Sequence, residues 1–209
     1  MQKKHLIRMA MGGLFLCAAI FMVRNIAFVT DVPSAPGIAQ VRYQKGNSPV
    51  SIGGPFLLVD QHGRPKSSAD FRGRYMLVYF GYTYCPDVCP TALYAMTDAL
   101  NSLKDKAKNF QPIFITIDPN RDTRSVMRDY MKNFHPSFVG LTGEKDQLEK
   151  AHKAYHVYAV KAPGQEHEKN YILDHSSIVY VMDPRGRFIT SFNHNTSAEE
   201  IVKILLTLS

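Results

Sequence analysis

Tyr75-Met76-Leu77-Val78-Tyr79-Phe80 runs directly into Gly81-Tyr82-Thr83-Tyr84-Cys85-Pro86-Asp87-Val88-Cys89-Pro90, and this junction carries most of the structural information in the chain. The first six residues form an unbroken apolar run, as expected of a strand buried on both faces. Pro90 suits the first turn of a helix, which predicts a helix from Pro90 to about residue 107 with Cys89 near its N-cap. The two cysteines therefore fall at a strand-to-helix junction. A helix N-terminus lowers a thiol pKa and favours thiolate, either as nucleophile or as metal ligand. Two thiols four residues apart can close around one soft metal ion or on each other as a disulfide.

Outward from this junction, Phe56-Leu57-Leu58-Val59 reads as a short strand followed by the turn Asp60-Gln61-His62-Gly63. Ile113-Phe114-Ile115-Thr116-Ile117 is a second buried strand, and residues 123–134 and 144–155 read as helices. Residues 156–160 read as a strand. Residues 178–182 and 188–192 form a hairpin around Asp183-Pro184-Arg185-Gly186, and an amphipathic helix covers residues 198–208. Strand, cysteine motif, helix, strand, helix, hairpin and closing helix is the plan of an α/β thioredoxin-like fold, a central mixed sheet with flanking helices.

The N-terminal part has a different character. Residues 9–23 carry no charge, and the apolar run resumes with Ile26-Ala27-Phe28-Val29 after Arg24-Asn25. Residues 9–29 are long enough to cross roughly 30 Å of hydrocarbon if Arg24 snorkels outward. This predicts one N-terminal transmembrane helix, with a cleaved signal peptide as the alternative. Lys3, Lys4 and Arg8 place residues 1–8 in the cytoplasm and the remainder outside. Residues 30–49, rich in Pro, Gly and Ser, read as a linker, and residues 50–209 as one domain. The formal charge of +7 owes four of its basic residues to the anchor flanks, and long basic runs are absent. Nucleic acid is therefore not an expected partner. With Cys17 assigned to the anchor, Cys85 and Cys89 are the cysteines left to the exported domain. A disulfide closing so small a loop stabilises little, so a reactive or metal-binding pair is the better explanation.

His175, in Leu173-Asp174-His175-Ser176-Ser177, comes just before the strand expected at 178–182. Thioredoxin-type reductases place a substrate-docking proline there and use CxxC. A histidine in that position suits coordination better than dithiol exchange. Two sulfurs and one imidazole would suit Cu(I), and Cu(II) if water or a further ligand joins.

Taken together, the residues closely resemble the Sco/SenC family of cytochrome c oxidase assembly factors, from about Gly53 to the C-terminus. The motifs are Tyr84-Cys85-Pro86-Asp87-Val88-Cys89-Pro90, Ile117-Asp118-Pro119-Asn120-Arg121-Asp122-Thr123 and Asp174-His175-Ser176. Arg124 departs from the proline common after the Asp-Thr pair, at a helix start that leaves the ligands untouched. The resemblance implies copper bound by Cys85, Cys89 and His175, and help in loading the CuA site of oxidase subunit II. It also implies an upstream copper donor and a thiol reductant as partners. An enzymatic alternative is a thiol-disulfide oxidoreductase acting on the subunit II cysteines. A third reading, a redox or copper sensor, lacks a visible output domain. A peroxiredoxin-like enzyme is disfavoured because Tyr82 stands where its pre-cysteine threonine would. The expected location is a bacterial inner membrane with the domain in the periplasm. The alternative is the mitochondrial inner membrane facing the intermembrane space.

Several residues carry two readings. Asp118 could orient His175 from an outer shell or cap the turn after its strand. His152 and His156 share a ligand-like spacing, but the chain there looks like a helix-to-strand exit. His135 reads as a helix end, and Met127 and Met131 as core filling. His167 reads as a solvated loop residue that could touch transient copper. Tyr82 and Tyr84 either shield the metal, form a docking face or pack beside the loop.

Overall fold

The computed structural model describes residues 51–165, 168 and 170–208. The expected anchor at 9–29, the linker at 30–49 and His167 lie outside the described residues. Among the described residues, no helix is long and apolar enough to cross a membrane.

The architecture is thioredoxin-like α/β. Strand β1 (Leu57–Asp60) and short β2 (Pro65–Ser67) are followed by β3 (Tyr75–Gly81) and helix α1 (Val88–Leu103). Then come β4 (Phe110–Thr116), α2 (Arg124–Met131), β5 (Val139–Thr142) and α3 (Lys145–Ala154). Strands β6 (Ala159–Lys161), β7 (Leu173–His175), β8 (Ile178–Met182) and β9 (Phe188–Asn193) precede α4 (Ala198–Leu206). Among the described residues, seven strands make one mixed sheet in the order β2-β1-β5-β4-β3-β8-β9, and β6 and β7 pair with each other.

The unbroken apolar run sits at the centre of this sheet. β3 is parallel to β4, from Tyr75 opposite Phe110 to Gly81 opposite Thr116, and antiparallel to β8 on its other side. Leu77, Val78, Tyr79 and Phe80 are wholly buried, which is why no polar residue interrupts them. α1 packs against α4, α2 against β5 and α3 against β1. At the α2–β5 contact, a Cβ on Gly140 would lie 2.9 Å from Met131 Cγ and 3.1 Å from Met127 Cε. Met127 and Met131 thus fill core space, as their helical spacing suggests.

The structure shifts several expected boundaries. α1 starts at Val88 with Asp87 as N-cap, so Pro90 is its third residue. Proline fits there because the first-turn N–H groups have no intrahelical acceptor. The helix stops at Leu103 because Lys104 turns to φ 50°, and a 3₁₀ stretch (Lys104–Asn109) replaces its expected last turn. β4 begins three residues before the expected Ile113 and includes Pro112. β5 joins β4 only from Ile113, so proline's missing donor falls where β4 has a single neighbour. The strand expected at 156–160 starts later, since His156 lies at φ 53° and Val157 N–H still donates to His152 O of α3 at 2.8 Å. β2, β5 and β7 are short; β2 folds back on neighbouring β1, whereas β5 and β7 depend on partners further away in sequence.

Asp122, completely buried, ties the turn after β4 to the cysteine loop. Its Oδ1 accepts from Thr83 Oγ1 and its Oδ2 from Thr116 Oγ1, each at 2.6 Å, and Thr83 N–H donates to both oxygens. Burial pushes this carboxyl above its usual range, against the lowering effect of the Thr116 and Thr83 hydrogen bonds. Asp122→Ala strands three donors, the buried Thr116 hydroxyl and the half-buried Thr83 hydroxyl and N–H. A loss of about 2–4 kcal/mol is expected in urea unfolding, and an unchanged midpoint would show that the network contributes nothing.

Candidate metal centre

Cys85, Cys89 and His175 come together, with their ligand atoms all within 4.8 Å of one another. Each arrives by a different route. Cys85 closes a turn after β3, its N–H donating to Tyr82 O at 3.2 Å. Cys89 lies in the first turn of α1, where its N–H points at Cys85 Sγ at 3.5 Å. His175 ends β7 and puts Nε2 at 3.4 Å from Cys89 Sγ.

Gly81 makes room for this arrangement. A Cβ there would lie 2.7 Å from Cys89 Sγ and 2.9 Å from the Phe114 ring, so only glycine lets the thiol lie against the end of β3. Cys89 is completely buried and Cys85 nearly so, whereas His175 is partly exposed. Behind Cys89, the Tyr79 hydroxyl donates to its sulfur at 3.8 Å. The His175 ring stands edge-on to Tyr82 at 5.8 Å and to Tyr79 at 6.4 Å. Its Nδ1 lies 3.2 Å from Ser176 O, which fits a proton on Nδ1 and a lone pair on Nε2 directed at the sulfurs.

The two thiols are electrostatically unequal. A hydrogen bond from Cys89 draws the Cys85 thiol down to about 4 against the opposing effect of burial, with further donation from the Asp87 and Cys89 N–H groups. Burial, and the role of donor to Cys85, push Cys89 far up. The first proton therefore leaves from Cys85. Both cysteines are free thiols in this structure.

The donor set fits a soft metal ion. Bonds of about 2.0–2.3 Å to sulfur and nitrogen place neighbouring ligand atoms about 3.3–4 Å apart, within the separations found. Among the described residues, no carboxylate belongs to this cluster.

Other expected residues lie elsewhere. Asp118 Oδ1 accepts from the Tyr171 hydroxyl at 2.6 Å and Oδ2 from Arg121 Nε at 2.5 Å, so its carboxylate is committed to these two rather than to His175. His152 Nε2 lies 3.1 Å from Thr116 O and its ring packs on Phe80, while His156 is exposed. His135 Nδ1 pairs with Ser137 Oγ at 2.7 Å. Tyr82 is buried beside the site, whereas Tyr84 is 54% exposed. Tyr79, Arg121 and Asp122 have roles around the site that the sequence reading did not assign. The available signal was a charged pair, Arg121-Asp122, in the turn that follows a buried strand.

A sequence model of the family described as SCO1/SenC matches residues 44–209. The chain belongs to the SCO1/SenC family. Among its SCO1/SenC relatives, the SCO2-like protein of Rickettsia felis (strain ATCC VR-1525 / URRWXCal2) is 40% identical over 173 residues, covering 83% of each chain. The mitochondrial SCO2 homolog of Homo sapiens is 41% identical over 150 residues, covering 71% of this chain and 56% of the human one. The structure of Bradyrhizobium japonicum ScoI with copper bound is similar at 39% identity and a TM-score of 0.69, covering 75% of this chain and 99% of that one.

The unequal thiols of this SCO1/SenC chain make a chemical prediction. Cys85, its pKa lowered, is thiolate at pH 6, while Cys89, its pKa raised, stays protonated. Iodoacetamide at pH 6 should modify Cys85 first, as read by peptide mass spectrometry. Equal labelling, or Cys89 first, would contradict the assignment.

Proposed function

We propose that this SCO1/SenC protein is a copper chaperone, taking one copper ion through Cys85, Cys89 and His175 and assisting assembly of the CuA centre of cytochrome c oxidase. The observation that carries the reading is the convergence of two sulfurs and one imidazole nitrogen within 4.8 Å. Two sulfur donors favour Cu(I), and the partly exposed side of His175 leaves a direction from which a further ligand could join for Cu(II). Copper is cargo here, received from an upstream donor and passed to the CuA domain of subunit II. Uptake requires both thiols to lose their protons, so a reduced pair must precede loading.

The second reading is a thiol-disulfide oxidoreductase, favoured by the lowered pKa of Cys85 beside a protonated Cys89. Cys85 thiolate attacks a disulfide of subunit II, breaking its S–S bond and forming a mixed disulfide. Cys89, once deprotonated, then attacks Cys85 Sγ and expels the second subunit II thiolate. Two electrons pass to subunit II, and a Cys85–Cys89 disulfide remains for an external dithiol reductant to reopen.

The two readings part at His175. The reduced protein should retain one copper per chain after dialysis, and oxidation of the pair should abolish retention. His175→Ala should weaken copper binding by roughly 100-fold, since a ligand interaction of about 3 kcal/mol corresponds to that factor. Its cysteines should still oxidise and reduce reversibly. Normal CuA maturation by this variant at low copper would favour the oxidoreductase.

The proposal includes a single-pass anchor at residues 9–29 in a bacterial inner membrane, with residues 50–209 in the periplasm. Lys3, Lys4 and Arg8 on the cytoplasmic side support this orientation. A reporter fused after Ser209 should be active only on the periplasmic side. A mature N-terminus found downstream of Val29 would replace the anchor with a cleaved signal.

A further inference from the structure

Arg121 belongs to neither ligand-bearing segment, yet it touches both. Its Nη1 donates to the Tyr171 carbonyl at 2.7 Å, while its Nε donates to Asp118. Its guanidinium carbon lies 3.6 Å from the Tyr171 ring centre, 4.9 Å from that of Tyr84 and 5.5 Å from that of Tyr82. Tyr82 and Tyr84 lead into Cys85, and Tyr171 stands two residues before β7, the strand that ends in His175. The Tyr171 hydroxyl closes the ring of contacts on Asp118. A second link runs from Leu173 N–H to the Tyr82 hydroxyl at 3.2 Å.

An ordinary loop arginine keeps its guanidinium in water. This side chain is 13% exposed, and its Nη2 is buried without a hydrogen-bond partner among the described residues. A buried donor left unpaired is unfavourable, so the stacked, forked geometry is held against a penalty. Contacts of a guanidinium to ring faces are favourable, and more so when the pair is desolvated. Lysine could keep the charge over the rings, but a point donor could not span Asp118 and the Tyr171 carbonyl together.

We infer that Arg121, supported by Asp118 and Tyr171, is a positioning residue that holds the His175 strand against the cysteine loop and so sets the third ligand in place. The inference rests on the reading of Cys85, Cys89 and His175 as ligands. Asp118 then serves the site through Arg121 and Tyr171, without contact to the imidazole. Because Asp122 and the first turn of α1 hold the cysteine loop by contacts of their own, the effect of Arg121 is expected through His175.

A double-mutant cycle tests this on the reduced full-length chain in mild detergent. Cu(I) affinity is measured by competition with a chromogenic chelator for the unmodified protein, Arg121→Met, His175→Ala and the double variant. Exchange of the Leu173 amide is followed in the metal-free protein. Arg121→Met should weaken binding about tenfold or more, in the range of outer-shell partners of metal ligands. It should have no further effect once His175 is alanine, and Leu173 should exchange about tenfold faster. Arg121→Lys should behave like Arg121→Met. Equal losses in both backgrounds, or none in the unmodified one, would overturn the inference while leaving the ligand set intact. If His175→Ala alone left affinity unchanged, the ligand reading would fall and this inference with it. Should Arg121→Met not fold, Tyr171→Phe removes only the hydroxyl on Asp118. It must then show a smaller loss with the same dependence on His175, and its absence would overturn the inference.

Discussion

Cys89 has no access to solvent, and its sulfur lies where a side chain on Gly81 would otherwise stand. A thiol that is to become an anion in such a place needs partners already in position, because water cannot supply them. The Tyr79 hydroxyl meets that need by donating to the sulfur, while the neighbouring Cys85 sulfur opposes the charge and the imidazole completes the ligand set. The central strand supplies Tyr79 and Gly81, the first helical turn supplies Cys89 itself, and a remote strand supplies the imidazole. The arrangement of β3, α1 and β7 around one buried sulfur is the geometry on which the remaining contacts depend.

A second layer of contacts keeps those three suppliers in register. Asp122 fixes Thr83 to the end of β4, which sets the course of the chain between β3 and Cys85. Arg121, the neighbouring residue, reaches toward Tyr171 and the histidine strand. Adjacent residues of one turn thus look after opposite sides of the site, a polar one inside the fold and a cationic one among tyrosine rings. The separation of tasks follows from charge. A carboxylate can accept several buried donors, whereas a guanidinium can stack on aromatic faces as well as donate.

Much of the fold was legible because its signals are local. Tyr75 to Phe80 reads as a buried strand without knowledge of its neighbours, and the β8–β9 hairpin announces itself through Asp183-Pro184-Arg185-Gly186. Cys85 and Cys89 are marked by spacing and context, and His175 by its place before β8. β5 and β7 were not legible, since four and three residues carry too little periodicity and their pairing partners are far away. Arg121 was illegible for the same reason, its carbonyl acceptor lying 50 residues along the chain. The shared helix-face spacing of His152 and His156 was correctly read with caution: one ring faces a backbone carbonyl inside and the other faces solvent.

β6 and β7 form a ribbon of two strands that adds nothing to the main sheet. Isolated two-stranded ribbons are marginally stable in water. The two sulfurs lie between the central sheet and the first helix, while the imidazole rides on a two-strand ribbon outside that sheet. Under the proposed function, in which the ion leaves as well as arrives, this asymmetry suits an order of events. On that reading, the nitrogen yields its place to an incoming thiolate while both sulfurs keep hold, and the ion passes through a shared state rather than free into solvent.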